Sequence, residues 1–98
     1  MTREVILQEV RHVTQDVLRG HRVDVYLFGS WASGRSRQSS DIDVGVYAHR
    51  PLPPGALATL RERLEESHIP YRVEVVNLAD TDEAFRETVI RQGIRWIV

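Results

Sequence analysis

Leu27-Phe28-Gly29-Ser30-Trp31-Ala32-Ser33-Gly34, followed after five residues by Ser40-Asp41-Ile42-Asp43-Val44-Gly45-Val46, is the stretch on which the reading of this sequence turns. One apolar run stops abruptly at Gly29-Ser30 and a second resumes at Ile42, with glycine, serine and arginine between them. That composition predicts strand, loop, strand, the loop opening on a short helical turn. Asp41 and Asp43 flank Ile42 where the second strand begins. The strand period of two therefore points both carboxylates to one face and Ile42 to the other. Two carboxylates held that close repel each other, and a divalent cation is the usual remedy. The chain has no cysteine, so a metal must be held by oxygen or imidazole, which points to magnesium or manganese. Asp-x-Asp alone is also common on solvated strands, and the glycine-serine turn upstream is what gives it weight. Glycine lets a ligand approach the backbone, and a serine hydroxyl with nearby N–H groups can hold phosphate oxygens. Arg35 and Arg37, in the same loop, could neutralise a polyphosphate by bidentate contacts.

Working outward, Ile6, Val10, Val13 and Val17 repeat at steps of four and three, predicting a helix from Glu4 to Leu18 that Gly20 stops. A strand over Arg22 to Phe28 leads into the central stretch, and a second covers Ile42 to Tyr47. The three prolines between His49 and Gly55 suit a turn into a second helix whose buried face is Leu57, Leu60 and Leu64. Arg72 to Val76 reads as a third strand. Asp80 or Thr81 would cap a third helix marked by Phe85, Val89 and Ile90 and ended by Gly93, and Ile94 to Val98 would close as a short strand. The order predicts a single α/β (α+β) domain over residues 1–98, with helices packed on a mixed sheet of about four strands. Glu74 sits among Val73, Val75 and Val76, where an acid loses hydration and needs a partner. Should that strand lie beside the one bearing Asp41 and Asp43, Glu74 would complete a three-carboxylate site able to hold two metal ions. Asp24 poses the same question in a weaker context.

The composition excludes several classes of function. A chain of 98 residues, 42% hydrophobic, is one domain with one core. No apolar run approaches the roughly 20 residues of a bilayer crossing, and the first residues lack the apolar stretch of a signal peptide, so a soluble cytoplasmic protein is expected. A net charge of −1 gives little nonspecific attraction to duplex DNA. Every basic residue besides histidine is arginine, which removes lysine nucleophiles and Schiff bases along with the cysteine ones. His12, His21, His49 and His68 are scattered over helix surface and loops and read as structural or solvated.

The two segments Gly29 to Gly34 and Ser40 to Val46 resemble the signature of the polymerase-beta-type nucleotidyltransferase superfamily. The likeness is close to its minimal members, the MNT family, and extends along nearly the whole chain to the closing Ile90-Arg91-Gln92-Gly93-Ile94-Arg95-Trp96-Ile97-Val98. The resemblance implies that Asp41, Asp43 and Glu74 are catalytic ligands of two magnesium ions. It implies that Gly29 and Ser30 contact a nucleoside triphosphate, and Arg35, Arg37 and Ser40 are candidate nucleotide-binding residues beside them. It further implies transfer of AMP from ATP to a hydroxyl, a tyrosine of a partner HEPN ribonuclease toxin, so that the chain acts as an antitoxin. Trp31 and Ser33 stand where many relatives have arginine, and Glu74 stands where aspartate is common. Trp31 or Trp96, if exposed beside arginines, would suit a partner interface, although Trp96 reads better as a core-edge residue. A second reading is a noncatalytic module that neutralises such a partner by steric cover, and a third is transfer to a small molecule. Intact Gly29, Ser30, Asp41 and Asp43 favour the enzyme, because a pure binder has no use for a like-charge pair.

Overall fold

The computed structural model describes residues 2–35 and 40–98. Helix α1 (Arg3–Leu18) is capped by the Thr2 hydroxyl, which accepts a hydrogen bond from the Val5 N–H at 3.2 Å. Strand β1 (Val23–Phe28) follows, then the four-residue helix α2 (Ser30–Ser33), strand β2 (Ile42–Ala48) and helix α3 (Ala56–Glu65). Strand β3 (Val73–Asn77), a 3-10 turn (Leu78–Asp80), helix α4 (Glu83–Gln92) and strand β4 (Ile94–Trp96) complete the chain. The sheet runs β3-β2-β1-β4, with β1 antiparallel to β2 and β4, and β2 parallel to β3 through the α3 crossover. This is the mixed four-stranded sheet expected from the element order. The cap of α4 is one residue beyond the expected pair: Asp82 accepts from the Phe85 N–H at 2.9 Å. The 3-10 turn has already taken up residues 78 to 80, with Thr81 as its own cap.

Alternation along the strands gives the sheet two unequal faces. One carries Val25, Leu27, Ile42, Val44, Val46, Val75 and Trp96, and packs against Ile6, Val10, Val13 and Leu18 of α1 and Leu60 and Leu64 of α3. The aliphatic members of this layer each contribute about 1.5–3 kcal/mol of apolar burial. The other face is covered only in part, where Leu78 of the 3-10 turn and Val89 of α4 pack on Tyr26, Phe28, Tyr47 and Val76. Gly45 makes room for that cover, because a Cβ there would meet Leu78 Cδ1 at 3.0 Å. The rest of this second face stays open, and Asp43 and Glu74 stand on it.

Trp31 and Trp96 are both buried, at 3% and 6% exposure. Neither offers the exposed aromatic anchor that a partner interface would use. Among the described residues no helix is long and apolar enough to cross a membrane.

Candidate active site

The site is assembled where β1 ends and β2 begins. In the sheet register Asp43 lies between Phe28 of β1 and Glu74 of β3, so the two carboxylates share the open face on adjacent strands. Asp41 precedes β2 by one residue and is close enough to act on Asp43 electrostatically. The Asp43 carboxyl is pushed above the usual carboxylate range, first by burial and then by the negative charges of Glu74 and Asp41. The structure thus sets Asp43 beside Glu74 on adjacent strands, with Asp41 near enough for its charge to act on Asp43. It corrects one premise: Glu74 is exposed, not buried, because β3 is an edge strand and alternation turns Glu74 to the uncovered face. In these side-chain positions no three such groups among the described residues form a cluster that could hold an ion.

Gly29 is required here for two separate reasons. Its backbone adopts φ +74° and ψ −155°, a conformation essentially confined to glycine. A Cβ at this position would also collide with the Asp43 carboxylate, whose Cγ would lie 3.3 Å away. The turn and the acid therefore fit against each other. From Gly29 the chain enters α2, where the Ala32 and Ser33 N–H groups bond the Gly29 carbonyl at 3.2 Å each. The N–H groups of Ser30 and Trp31, as the first of a helix, have no intrahelical acceptor. Arg35 follows the left-handed Gly34 and ties its backbone N–H to the Ser30 carbonyl at 2.9 Å. Arg37 lies outside the described residues.

Trp31 has a role that sequence reasoning missed. Its indole N–H donates to the Ser40 carbonyl at 3.2 Å, and its ring packs edge-on against Tyr71 at 5.0 Å between centroids. The Arg3 guanidinium lies over the same ring at 5.5 Å. One buried side chain thus joins the helix after Gly29-Ser30, the residue before Asp41 and the approach to β3. The only sequence signal was a lone large apolar residue in an otherwise polar loop.

The polymerase beta nucleotidyltransferase family model matches residues 15–97, which contain every element of this site. The chain belongs to that family. Among its relatives is the candidate protein adenylyltransferase MntA of Haemophilus influenzae, 37% identical over 65 residues. That alignment covers 66% of this nucleotidyltransferase chain and 57% of the relative, little more than half its length. A solved structure of a candidate minimal nucleotidyltransferase superposes with a TM-score of 0.77 at 28% identity, covering 96% of this chain and 95% of that one. A toxin–antitoxin complex with AMP-PNP superposes with a TM-score of 0.68 at 28% identity, covering 90% of this chain and 73% of its own. The minimal nucleotidyltransferase fold expected from the sequence is therefore the fold observed.

At the opposite end of the open face, Asp24 pairs with His49 Nε2 at 2.7 Å and Arg95 Nη2 at 2.8 Å. Burial opposes ionisation of Asp24, but its bonds with His49 and Arg95 and their charges outweigh this and hold the carboxyl below its ordinary range. This answers the question left at Asp24: it is a structural acid, ion-paired with Arg95 and hydrogen-bonded to His49.

Proposed function

We propose that this nucleotidyltransferase moves AMP from ATP onto a hydroxyl of a protein partner, releasing pyrophosphate. The observation that carries the reading is the junction of Gly29 with Asp43, which sets a phosphate-binding turn directly against the converging carboxylates. The donor set suits magnesium: it is all oxygen, and the negative charges of Glu74 and Asp41, which add to burial in raising the Asp43 carboxyl, are what a divalent cation neutralises. Asp41 and Asp43 would hold the ion, with Glu74 as third carboxylate, and magnesium supplies charge neutralisation at the phosphates and at the attacking oxygen when bound.

The chain's own residues supply the positioning. The Ser30 hydroxyl and the first N–H groups of α2 hold the outer phosphates, and Gly29 permits their approach to the backbone. Arg35, Arg37 and Ser40 are the further nucleotide-binding residues we infer, the two arginines supplying positive charge to the phosphate oxygens. Glu74, exposed at the sheet edge, stands on the side from which an acceptor hydroxyl can enter. No tuned histidine is needed, because this transfer depends on alignment and charge more than on a base.

The acceptor we infer is a tyrosine of a HEPN-type toxin, with this chain as its antitoxin. Support comes from the family resemblance, from the adenylyltransferase assignment of the Haemophilus relative and from the toxin–antitoxin setting of a structural neighbour. The test is transfer of label to the purified HEPN partner in the presence of magnesium. ATP labelled at the α-phosphate should label the partner and ATP labelled at the γ-phosphate should not; the opposite pattern would overturn nucleotidyl transfer.

A further inference from the structure

Strand β3 is a free edge of the sheet, and a cleft of about 610 Å³ runs along its outer side beneath the second half of α3. Glu74 lines that cleft as well as the candidate active site, so the two are continuous. The backbone of β3 turns toward the cleft at alternate residues. The Arg72 carbonyl accepts from the Ile42 N–H of β2 at 2.9 Å, whereas the Val75 carbonyl, three residues on, faces outward and accepts from Arg61 Nη2 at 2.9 Å. Alternation therefore directs Val73 and Val75 away from the sheet. The Val73 N–H, the Val73 carbonyl and the Val75 N–H have no hydrogen-bond partner among the described residues. Neither Arg61 nor Arg72 belongs to an ion pair among them.

We propose that the outer edge of β3 is the docking strand for the acceptor: an extended polypeptide segment adds there, antiparallel, as a fifth strand. The inference rests on the nucleotidyltransferase reading above. Val73 and Val75 then exchange hydrogen bonds with the segment residues opposite them, and Arg61 keeps its own bond because a carbonyl oxygen has two lone pairs. The residue opposite Glu74 falls in a non-hydrogen-bonded pair, with Cα atoms about 4.5 Å apart, and its side chain shares the face that carries Asp43. One further strand spacing puts it about 9–10 Å from Asp43, so the acceptor oxygen must stand at the end of a long side chain. A tyrosine hydroxyl reaches into that gap, and a serine hydroxyl, held on Cβ, stays at the edge. In the transfer the tyrosine oxygen bonds the α-phosphorus and the bond from that phosphorus to the bridging oxygen breaks. Pyrophosphate leaves and the phenolic proton passes to water. The neighbouring side chains specify the rest of the segment. The residue before the tyrosine lies opposite Val75 on the α3 side, where Arg61 calls for an acid. The residue after it lies opposite Val73, over Leu64, Ile69 and Tyr71, and is aliphatic. The next returns to the open face opposite Arg72 and is again acidic.

The probe is a capped, fluorescent peptide, Thr-Thr-Glu-Tyr-Val-Glu-Thr-Thr, titrated by anisotropy into the full chain with magnesium and a nonhydrolysable ATP analogue. Transfer is read separately, as peptide mass after incubation with magnesium and ATP. A methyl on the tyrosine backbone nitrogen, which faces away from β3, should leave binding unchanged. A methyl on the nitrogen of either neighbour removes a bond to Val75 or Val73 and should weaken binding about tenfold. Val73→Pro deletes an outward N–H at the first residue of the strand, where proline is tolerated. It should weaken the peptide about fivefold and leave affinity for the ATP analogue unchanged. Arg72→Glu should weaken the peptide several-fold, and a peptide with lysine in place of its second glutamate should restore binding to that variant. Circular dichroism checks the fold of both variants. A serine-for-tyrosine peptide should bind alike and gain no AMP. No binding, or binding indifferent to the position of the methyl and to Val73→Pro, would overturn the docking strand and leave the transferase reading standing. Binding in the alternating pattern with no AMP on the tyrosine would sustain the docking strand and overturn the transferase reading.

Discussion

Replacing Trp31 probes the link between packing and the site. The indole is 3% exposed, and removing about 200 Å² of aromatic surface from water at about 25 cal/mol per Å² gives an upper bound near 5 kcal/mol. Partial collapse of the surroundings brings Trp31→Ala into the range of about 3–5 kcal/mol seen for such truncations. Domains of this size have about 5–15 kcal/mol in total, so the alanine variant should sit near the edge of folding. Trp31→Phe keeps a ring against Tyr71 but removes the N–H that bonds the Ser40 carbonyl, a loss of about 1 kcal/mol. Urea unfolding followed by circular dichroism reads both changes. With a slope of about 1–1.5 kcal/mol per molar, the midpoint should fall by about 1 M for phenylalanine and by 2 M or more for alanine. Affinity for a magnesium-bound ATP analogue separates filling from positioning. Without the bond to Ser40 the folded Trp31→Phe protein should bind several-fold more weakly, because Asp41 is no longer registered against Gly29-Ser30. An alanine variant within 1 kcal/mol of wild type, or a phenylalanine variant of full affinity, would refute this reasoning.

Three other perturbations follow from the same geometry. Gly29→Ala should lose about 1–3 kcal/mol to backbone strain and should abolish nucleotide binding through the methyl group's collision with Asp43, checked by thermal melting and titration. Asp43→Asn should raise the melting temperature of the metal-free protein at neutral pH. Because the folded-state carboxyl is raised, the stability tied to its protonated form is complete below the ordinary value of 3.8 and lost as pH climbs through the folded value, and the amide removes that loss. Magnesium should stabilise the wild type and not this variant. Asp24→Asn should cost under about 1 kcal/mol at pH 7. Its carboxyl is lowered in the fold, so the difference from wild type should persist above 3.8 and vanish as pH falls through the lower folded value, as melts across a pH series will show.

Much of the fold was legible because periodicity reports burial. The four-and-three steps of Ile6, Val10 and Val13 lie on the core face of α1, and the loop after Gly29 does open on a helical turn. The convergence of Asp43 and Glu74 was legible only conditionally, since strand order is a tertiary property that no local pattern carries. Glu74 looked buried from its valine neighbours. Those valines mark one covered face and one strand at the sheet edge, and Glu74 is on the open face. Phe85 and Ile90 looked like core residues of the last helix, yet α4 buries chiefly Val89, and Phe85 is left exposed. Trp31 was the largest miss. Its packing partner Tyr71 is distant in sequence, and a tryptophan among serines and glycines resembles a surface anchor until that contact is seen.

The most direct measurement is the intact mass of the proposed HEPN-type partner after incubation with this chain, magnesium and ATP, beside an Asp41→Asn/Asp43→Asn variant that still forms the complex. The account predicts a gain of one or more adenylyl groups with the wild type and none with the variant. An unmodified partner in a stable complex, or equal modification by the variant, would contradict it.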